Sequence, residues 1–365
     1  MKKVKDSQKN MYPHSEVKVD LLRKYLEMYL HVLSNTHHER TIYLFDLFCG
    51  PGIHDNNGIG SPLVMLNEIN KVYNPNNKIS YKCLFNDKAS DKIDKLKTNI
   101  SHSNIYSQTI NINYSCSDYR ILISDVISKL QTFSNSEKAF IFIDPYEYKD
   151  IRISDIELLL NNRRTEVLLF LPTQFMFRFE SNGTPESLKC LIKELVPIEE
   201  WPKSSTGIEF IESLKNHFKI YLGDHYYVDT FIIKRDAGQY FCLFFFTSNI
   251  YGFEKMLEAK WKIDKDEGRG WSYERSYNLF AGEKFPVTLK FEAELKEYLL
   301  KQRTNKEVYE FTLHQGHLPL HANDILRHFQ TTGLLSVLTK TNQPVRKNAF
   351  YLDHKPREII TIQFK

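Results

Sequence analysis

The sequence predicts an α/β protein: a doubly wound, mostly parallel sheet that closes with an antiparallel hairpin and is followed by a smaller basic module. Three observations predict it. Two apolar runs, Leu44-Phe45-Asp46 and Phe140-Ile141-Phe142-Ile143-Asp144, each end in an acid, and a doubly wound sheet gathers ligands at such carboxyl ends. Strand-like and helix-like runs alternate through the first half of the chain, which argues for right-handed crossovers between parallel strands. Residues 226–234 and 240–246 are two β-prone runs whose five-residue join is too short for a crossover and suits a hairpin.

Residues 14–33 carry Val17, Leu21, Leu22, Tyr25, Leu26, Met28, Tyr29 and Val32 near helical spacing and predict an amphipathic helix over the ligand side of the sheet. Strands are expected at 42–48, 81–86, 110–115, 139–143 and 166–171, with a helix at 153–160. Residues 172–224 are long for a crossover and read as an insertion, near 173–224, that faces the substrate. After Lys284-Phe285-Pro286 come helices at 289–300, 304–313 and 321–330, with Gly333 as a stop. Runs at 334–338 and 348–352 then flank a basic hairpin holding Arg346 and Lys347, and the whole reads as a winged-helix module. At 365 residues the chain exceeds one comfortable core, so two domains are expected, 1–286 and 287–365.

Hydrophobic content of 42% with 26% charged residues describes a folded chain rather than a disordered one. The polar N-terminus and the lack of a run near ~20 apolar residues argue against a signal peptide or membrane anchor and make a cytoplasmic protein the expectation. Cys49, Cys83, Cys116, Cys190 and Cys242 are widely spaced without a C-x-x-C pair, which predicts buried free thiols. Five of the 13 histidines cluster near the C-terminus without a cysteine or a zinc-type spacing, so no metal is expected. The net charge of +4 hides an asymmetry. Residues 301–365 hold 10 Lys and Arg against 5 Asp and Glu, and the rest of the chain holds 39 against 40. An anionic partner is therefore expected at the basic end.

The acid and the paired glycines of Asp46-Leu47-Phe48-Cys49-Gly50-Pro51-Gly52 suit S-adenosylmethionine, whose amino-acid end can lie against a backbone that lacks Cβ atoms. Asp46, Phe48, Gly50 and Gly52 form the candidate cofactor-binding set, against the plainer reading of a strand-to-helix turn with a capping acid. Asp87, or its neighbour Asn86, follows the second strand where it can accept the ribose hydroxyls. Asp118 is placed either to accept from the adenine amino group or to cap a helix ahead of Ile121. Five parallel-type strands and a terminal hairpin around these residues describe a class I methyltransferase.

Asp144-Pro145-Tyr146 is the candidate catalytic end. Methyltransferases of exocyclic amines carry D-P-P-Y or N-P-P-Y, where acid and carbonyl orient the amine and the ring stacks on the base. Here one proline is missing, Tyr146 shifts by a residue, and Asp144 is alternatively a structural or cofactor-side acid. The absence of any Pro-Cys nucleophile argues against cytosine C5 methylation, which a D-L-F-x-G-x-G turn would otherwise suggest. Phe175 and Arg178, with Phe177 and Phe179, either stack on and clamp a nucleotide or belong to the core beneath the insertion.

The helix with His14 and Lys18, the D-L-F-C-G-P-G turn, Gly60-Ser61-Pro62-Leu63, the D-P-Y strand end and the C-terminal module together resemble the three-Cys-motif partner (TcmP) family of bacterial and phage proteins. The resemblance covers most of the chain and implies a methyltransferase-like core working beside a three-cysteine-motif protein of iron-sulfur or radical type. Two functions follow as expectations: an S-adenosylmethionine-dependent methyltransferase acting on nucleic acid, and a non-catalytic methyltransferase-like scaffold that recruits nucleic acid or a protein partner.

Overall fold

A computed structural model describes residues 10–35, 39–103, 110–145, 150–173, 194, 204–236, 239–272 and 286–365. The chain divides into two compact units, Met1–Lys255 with Gly270–Asn278, and Met256–Arg269 with Leu279–Lys365.

In the first unit the chain runs through α1 (Pro13–Ser34), β1 (Arg40–Asp46), α2 (Ser61–Val72), β2 (Ile79–Asn86), α3 (Ser90–His102), β3 (Ile110–Ser115), α4 (Tyr119–Gln131), β4 (Glu137–Ile143), α5 (Ile153–Leu160) and β5 (Thr165–Leu171). It continues through α6 (Gly207–Leu222), β6 (Tyr227–Asp236), β7 (Gln239–Thr247), α7 (Ile250–Ile263), which carries the chain into the second unit's residues, and β8 (Gly270–Ser272). One eight-stranded sheet results, in the order β3-β2-β1-β4-β5-β7-β6-β8. β1 to β5 pair in parallel, whereas β7 runs antiparallel to both β5 and β6. This large, mostly parallel sheet with an antiparallel closing strand matches the class I methyltransferase fold.

β5 is buried along its whole length, as a central strand covered on both faces must be. Tyr119, Ile123, Ile156, Leu159, Phe210 and Phe218 of α4, α5 and α6 cover one face, against Ile141, Val167, Leu169 and Phe244. α6 thus serves as a core-covering helix; the rest of the expected insertion, 174–193 and 195–203, lies outside the described residues, as does Cys190. The other face receives α1, whose Tyr25 packs on Phe140 and Phe245 with ring centroids 5.4 and 5.0 Å apart. The Tyr25 hydroxyl donates to the buried carboxylate of Glu166 on β5, and Thr247 donates to its other oxygen at 3.0 Å. Burial pushes Glu166 up to about 7.

The second unit contains α8 (Leu289–Tyr298), β9 (Arg303–Thr304), α9 (Asn305–His314), α10 (Pro319–Thr331), β10 (Leu335–Thr339) and β11 (Ile360–Phe364). The strands form a small antiparallel sheet in the order β10-β11-β9 around a core that includes Phe291, Leu295, Val308, Leu326, Phe329 and Ile362. Thr304 and Glu307 close a reciprocal capping box at the start of α9. One expectation is corrected here. β10 pairs with 360–364, not with 348–352. Asn348 and Tyr351 have φ of 64° and 47°, outside the strand region, and Phe350 is buried as a plug instead. Arg346 and Lys347 therefore lie in the long connection between β10 and β11.

Cys49, Cys83 and Cys242 are buried free thiols, whereas Cys116, just beyond edge strand β3, is exposed. Among the described residues no helix is long and apolar enough to cross a membrane, and no cluster of ligating side chains suits a metal ion.

Candidate functional site

β1 and β4 are adjacent in the sheet, yet their crossovers lead to opposite sides, so the crevice beyond their carboxyl ends is the topological switch point where such sheets take ligands. A cavity of about 370 Å³ lies there. Phe48, Cys49 and Gly50 follow β1 into its wall, Asp144 and Pro145 follow β4, and Gly60 and Ser61 come from the start of α2. Tyr12, His14 and Lys18 of the α1 end, with Phe170, Arg235 and Phe241 of β5, β6 and β7, complete it. The volume falls in the range of small-molecule sites.

Asp46 ends β1 with no exposed surface. Its Oδ1 accepts from the Phe48 amide at 3.3 Å, while Oδ2 has no hydrogen-bond partner. Burial pushes the carboxyl up to about 7, with Asp144 and Asp87 adding repulsion. The Ser61 hydroxyl and the Phe48 amide pull the other way, Ser61 from nearby without a bond to Oδ2. An orphaned carboxylate oxygen in so dry a place costs free energy, which a hydrogen-bond donor or cation beside it would offset.

Gly50 and Gly52 both hold left-handed φ, 62° and 77°. Their surroundings differ. Gly50 lines the cavity, and its amide donates to Asp87 Oδ2 at 3.2 Å. Gly52 does not line it; a Cβ there would stand 2.5 Å from Leu96 Cδ1 and 2.7 Å from Leu63 Cδ1, between α2 and α3. Gly60, whose amide donates to the Gly52 carbonyl at 2.7 Å, would bring a Cβ within 3.0 Å of that same oxygen.

Asp87 is 4% exposed and already accepts from Gly50 and Ala89 amides, with Lys92 Nζ 3.6 Å away. Asn86 bolts three strand ends together by donating to the Leu47 and Ser117 carbonyls and accepting from the Ser117 amide. Asp118 caps α4, accepting from the Arg120 amide at 2.9 Å, and pairs with Lys88, which holds its carboxyl below the usual range. Neither Asp87 nor Asp118 lines the cavity.

At the β4 end, Lys18 Nζ meets both oxygens of Asp144, at 2.9 and 2.6 Å, and stands 4.0 Å over the Phe170 ring. His14 stacks between Tyr12 and Phe241, with centroids 5.8 and 5.7 Å away. Burial, then Lys18 and Arg235, push His14 down to about 4, so the ring is neutral at pH 7. Tyr146, Phe175 and Arg178 lie outside the described residues. The sequence reading missed Arg235 and Phe241 at this site because their strands reach it only through the antiparallel return of β7 beside β5, a long-range fact that no local motif encodes.

No family model matches the chain, and no curated protein is significantly similar to it in sequence. Solved structures with a similar fold include a SAM-dependent methyltransferase from Agrobacterium tumefaciens, at 10% identity and TM-score 0.35, over 65% of this chain and 62% of that one. The O-methyltransferase TomG from Streptomyces achromogenes, determined with SAM, aligns at 10% identity and TM-score 0.32, over 62% of this chain and 79% of that one. Human methyltransferase-like protein 13, determined with SAH, aligns at 9% identity and TM-score 0.34, over 73% of this chain and 98% of that one. At these scores the similarity identifies neither a family nor a substrate.

Proposed function

We propose that the first unit binds S-adenosylmethionine at the β1/β4 switch point and that the chain is a methyltransferase whose acceptor is nucleic acid. One observation carries the cofactor reading: a fully buried Asp46 keeps one oxygen unbonded between Phe48 and Ser61, which line a cavity fit for a small molecule. The orphan oxygen would take the ammonium group, and the Cβ-free backbone at Gly50 would let the ligand lie close, whereas Gly60 makes room for the Gly52 carbonyl. When bound, this cofactor supplies an activated methyl group. The protein's own part is to orient the acceptor, keep water out with the aromatic wall, and hold the acceptor's proton-bearing atom near Asp144.

The nucleic-acid reading rests on the second unit. Its order of helix, short strand, two helices and a hairpin supports a winged-helix assignment, and the β10–β11 connection exposes Arg346 and Lys347, which form no ion pair among the described residues. A three-cysteine-motif protein is the partner the sequence resemblance implies, and co-purification of the two tests it.

The Lys18–Asp144 ion pair favours a second reading, the non-catalytic scaffold, since the acid that would orient an amine is already engaged. Calorimetric titration of S-adenosylmethionine, followed by methyl transfer from labelled cofactor to DNA and RNA, decides between them. Binding with transfer supports the enzyme. No binding by the intact chain refutes the cofactor site and the enzyme and supports the scaffold, and binding without transfer to either nucleic acid refutes the nucleic-acid methyltransferase.

A further inference from the structure

The same cavity carries a second chemical signal at its outer wall. At that wall the charged lining side chains are Lys18, Arg235 and Asp144, with Asp46 buried behind Phe48 and Ser61, while His14 between Tyr12 and Phe241 is neutral at pH 7. Lys18 and Asp144 are largely withdrawn from water, with side chains 11% and 23% exposed. The lysine therefore has no comparable partner in solvent. A row of rings, Tyr12, His14, Phe241 and Phe170, each 5.7 to 5.8 Å from the next with faces turned to one another, walls the charges in on the apolar side. Two cations held against such a wall, in a cavity of small-molecule size, suit a compact anion, and the anion an acceptor nucleotide brings is its phosphate.

We propose that Lys18 and Arg235 form an anion grip for a phosphate of the acceptor nucleotide, and that Lys18 is exchanged from Asp144 to that phosphate when the acceptor enters. The exchange frees the Asp144 carboxylate at the moment an acceptor is present. It would reconcile the Asp144 engaged by Lys18 with a role for that acid in orienting the substrate, and this part rests on the methyltransferase reading. Phosphate is the shared chemistry; a free nucleotide and a nucleic-acid strand are its two sources.

The test uses the full chain, with AMP and a labelled single-stranded oligonucleotide titrated in the absence of cofactor and S-adenosylmethionine titrated separately. Lys18→Met should weaken AMP about tenfold, the worth of one charge-assisted hydrogen bond, and leave cofactor affinity within about twofold. Lys18→Arg should restore AMP binding, and Arg235→Gln should reproduce the loss should the Met variant fail to fold. Asp144→Asn should strengthen AMP binding in the Lys18 chain and do so much less in the Lys18→Met chain, because only the former has a lysine to release. Oligonucleotide binding tighter than AMP marks the strand as the source, and equal binding marks the free nucleotide.

Three results overturn the proposal. AMP affinity unchanged by Lys18→Met removes the grip. A large loss of cofactor affinity in that variant assigns Lys18 to the cofactor's carboxylate. Equal gains from Asp144→Asn in both backgrounds remove the exchange. A chain that shows the expected AMP pattern but never binds S-adenosylmethionine upholds the grip and refutes the methyltransferase reading instead.

Discussion

Gly52 and Gly333, the glycine that follows α10 in the second unit, share nearly the same left-handed φ, 77° and 76°, in opposite surroundings, and alanine at the two positions separates conformation from packing. A Cβ on Gly333 would meet nothing within 4 Å, so Gly333→Ala should cost only the left-handed penalty of roughly 1–2 kcal/mol. A Cβ on Gly52 would press on Leu96 and Leu63 at 2.5 and 2.7 Å, both closer than carbon atoms sit in contact. Leu63 and Leu96 are themselves buried, at 2% and 0% exposure, so their displacement adds an overpacking cost of about 1–3 kcal/mol. Gly52→Ala should therefore destabilise by about 2–5 kcal/mol, and by at least ~1 kcal/mol more than Gly333→Ala. Urea unfolding of both variants, followed by circular dichroism, measures the difference. Equal losses would refute the packing account of Gly52 and return it to the cavity lining, where the sequence reading had it.

Three further outcomes are expected. Asp46 has a folded pKa of about 7 against ~3.9 unfolded, so its relative stabilisation is present below about 4 and is lost as pH rises through 7, a span worth at most about 4 kcal/mol; Asp46→Asn should melt higher than the parent at pH 7.5, with a flatter pH profile, yet lose S-adenosylmethionine affinity. In the second unit burial pushes His317 and His321 down to about 3 and 4, so their contribution to stability fades as pH falls below ~6.5, on the order of 2 kcal/mol per histidine by about pH 4.5; His317→Phe keeps the stack on Phe291, His321→Gln keeps an acceptor for the Leu318 amide, and thermal melts of the pair should show less acid sensitivity. Arg346→Ala with Lys347→Ala should weaken duplex binding at low salt and reduce the log-log salt slope by up to about 2, and an unchanged slope in fluorescence anisotropy would remove these residues from the interface.

The sheet was legible because its strands announce themselves locally: five apolar runs at the right spacing, then a hairpin with too little chain for anything else. Asp46 was legible as a strand-end acid, and Asp118 was legible as a helix cap, one of the two readings the sequence left open. Lys18 on Asp144 was not, since 126 residues separate the partners and nothing local to either predicts the other. Gly52 misled because a glycine required by φ and one required by close packing look identical in sequence. The run at 348–352 misled for a similar reason: Phe350 is apolar because it is buried, and burial does not require a strand.

α1 is seated in stages. It rests on α2, bonds β2 through Ser34 and Tyr81 at 2.7 Å, and meets Asp144 and Glu166 after β4 and on β5, but its last fixed points, Phe241 and Phe245, arrive only with β7. Until then a growing chain leaves the outer faces of His14 and Tyr25 uncovered by those rings. The stretch of cavity wall where His14 meets Phe241 is thus completed late, and a fragment ending before residue 239 would have the glycine turn and Asp46 yet no closed site.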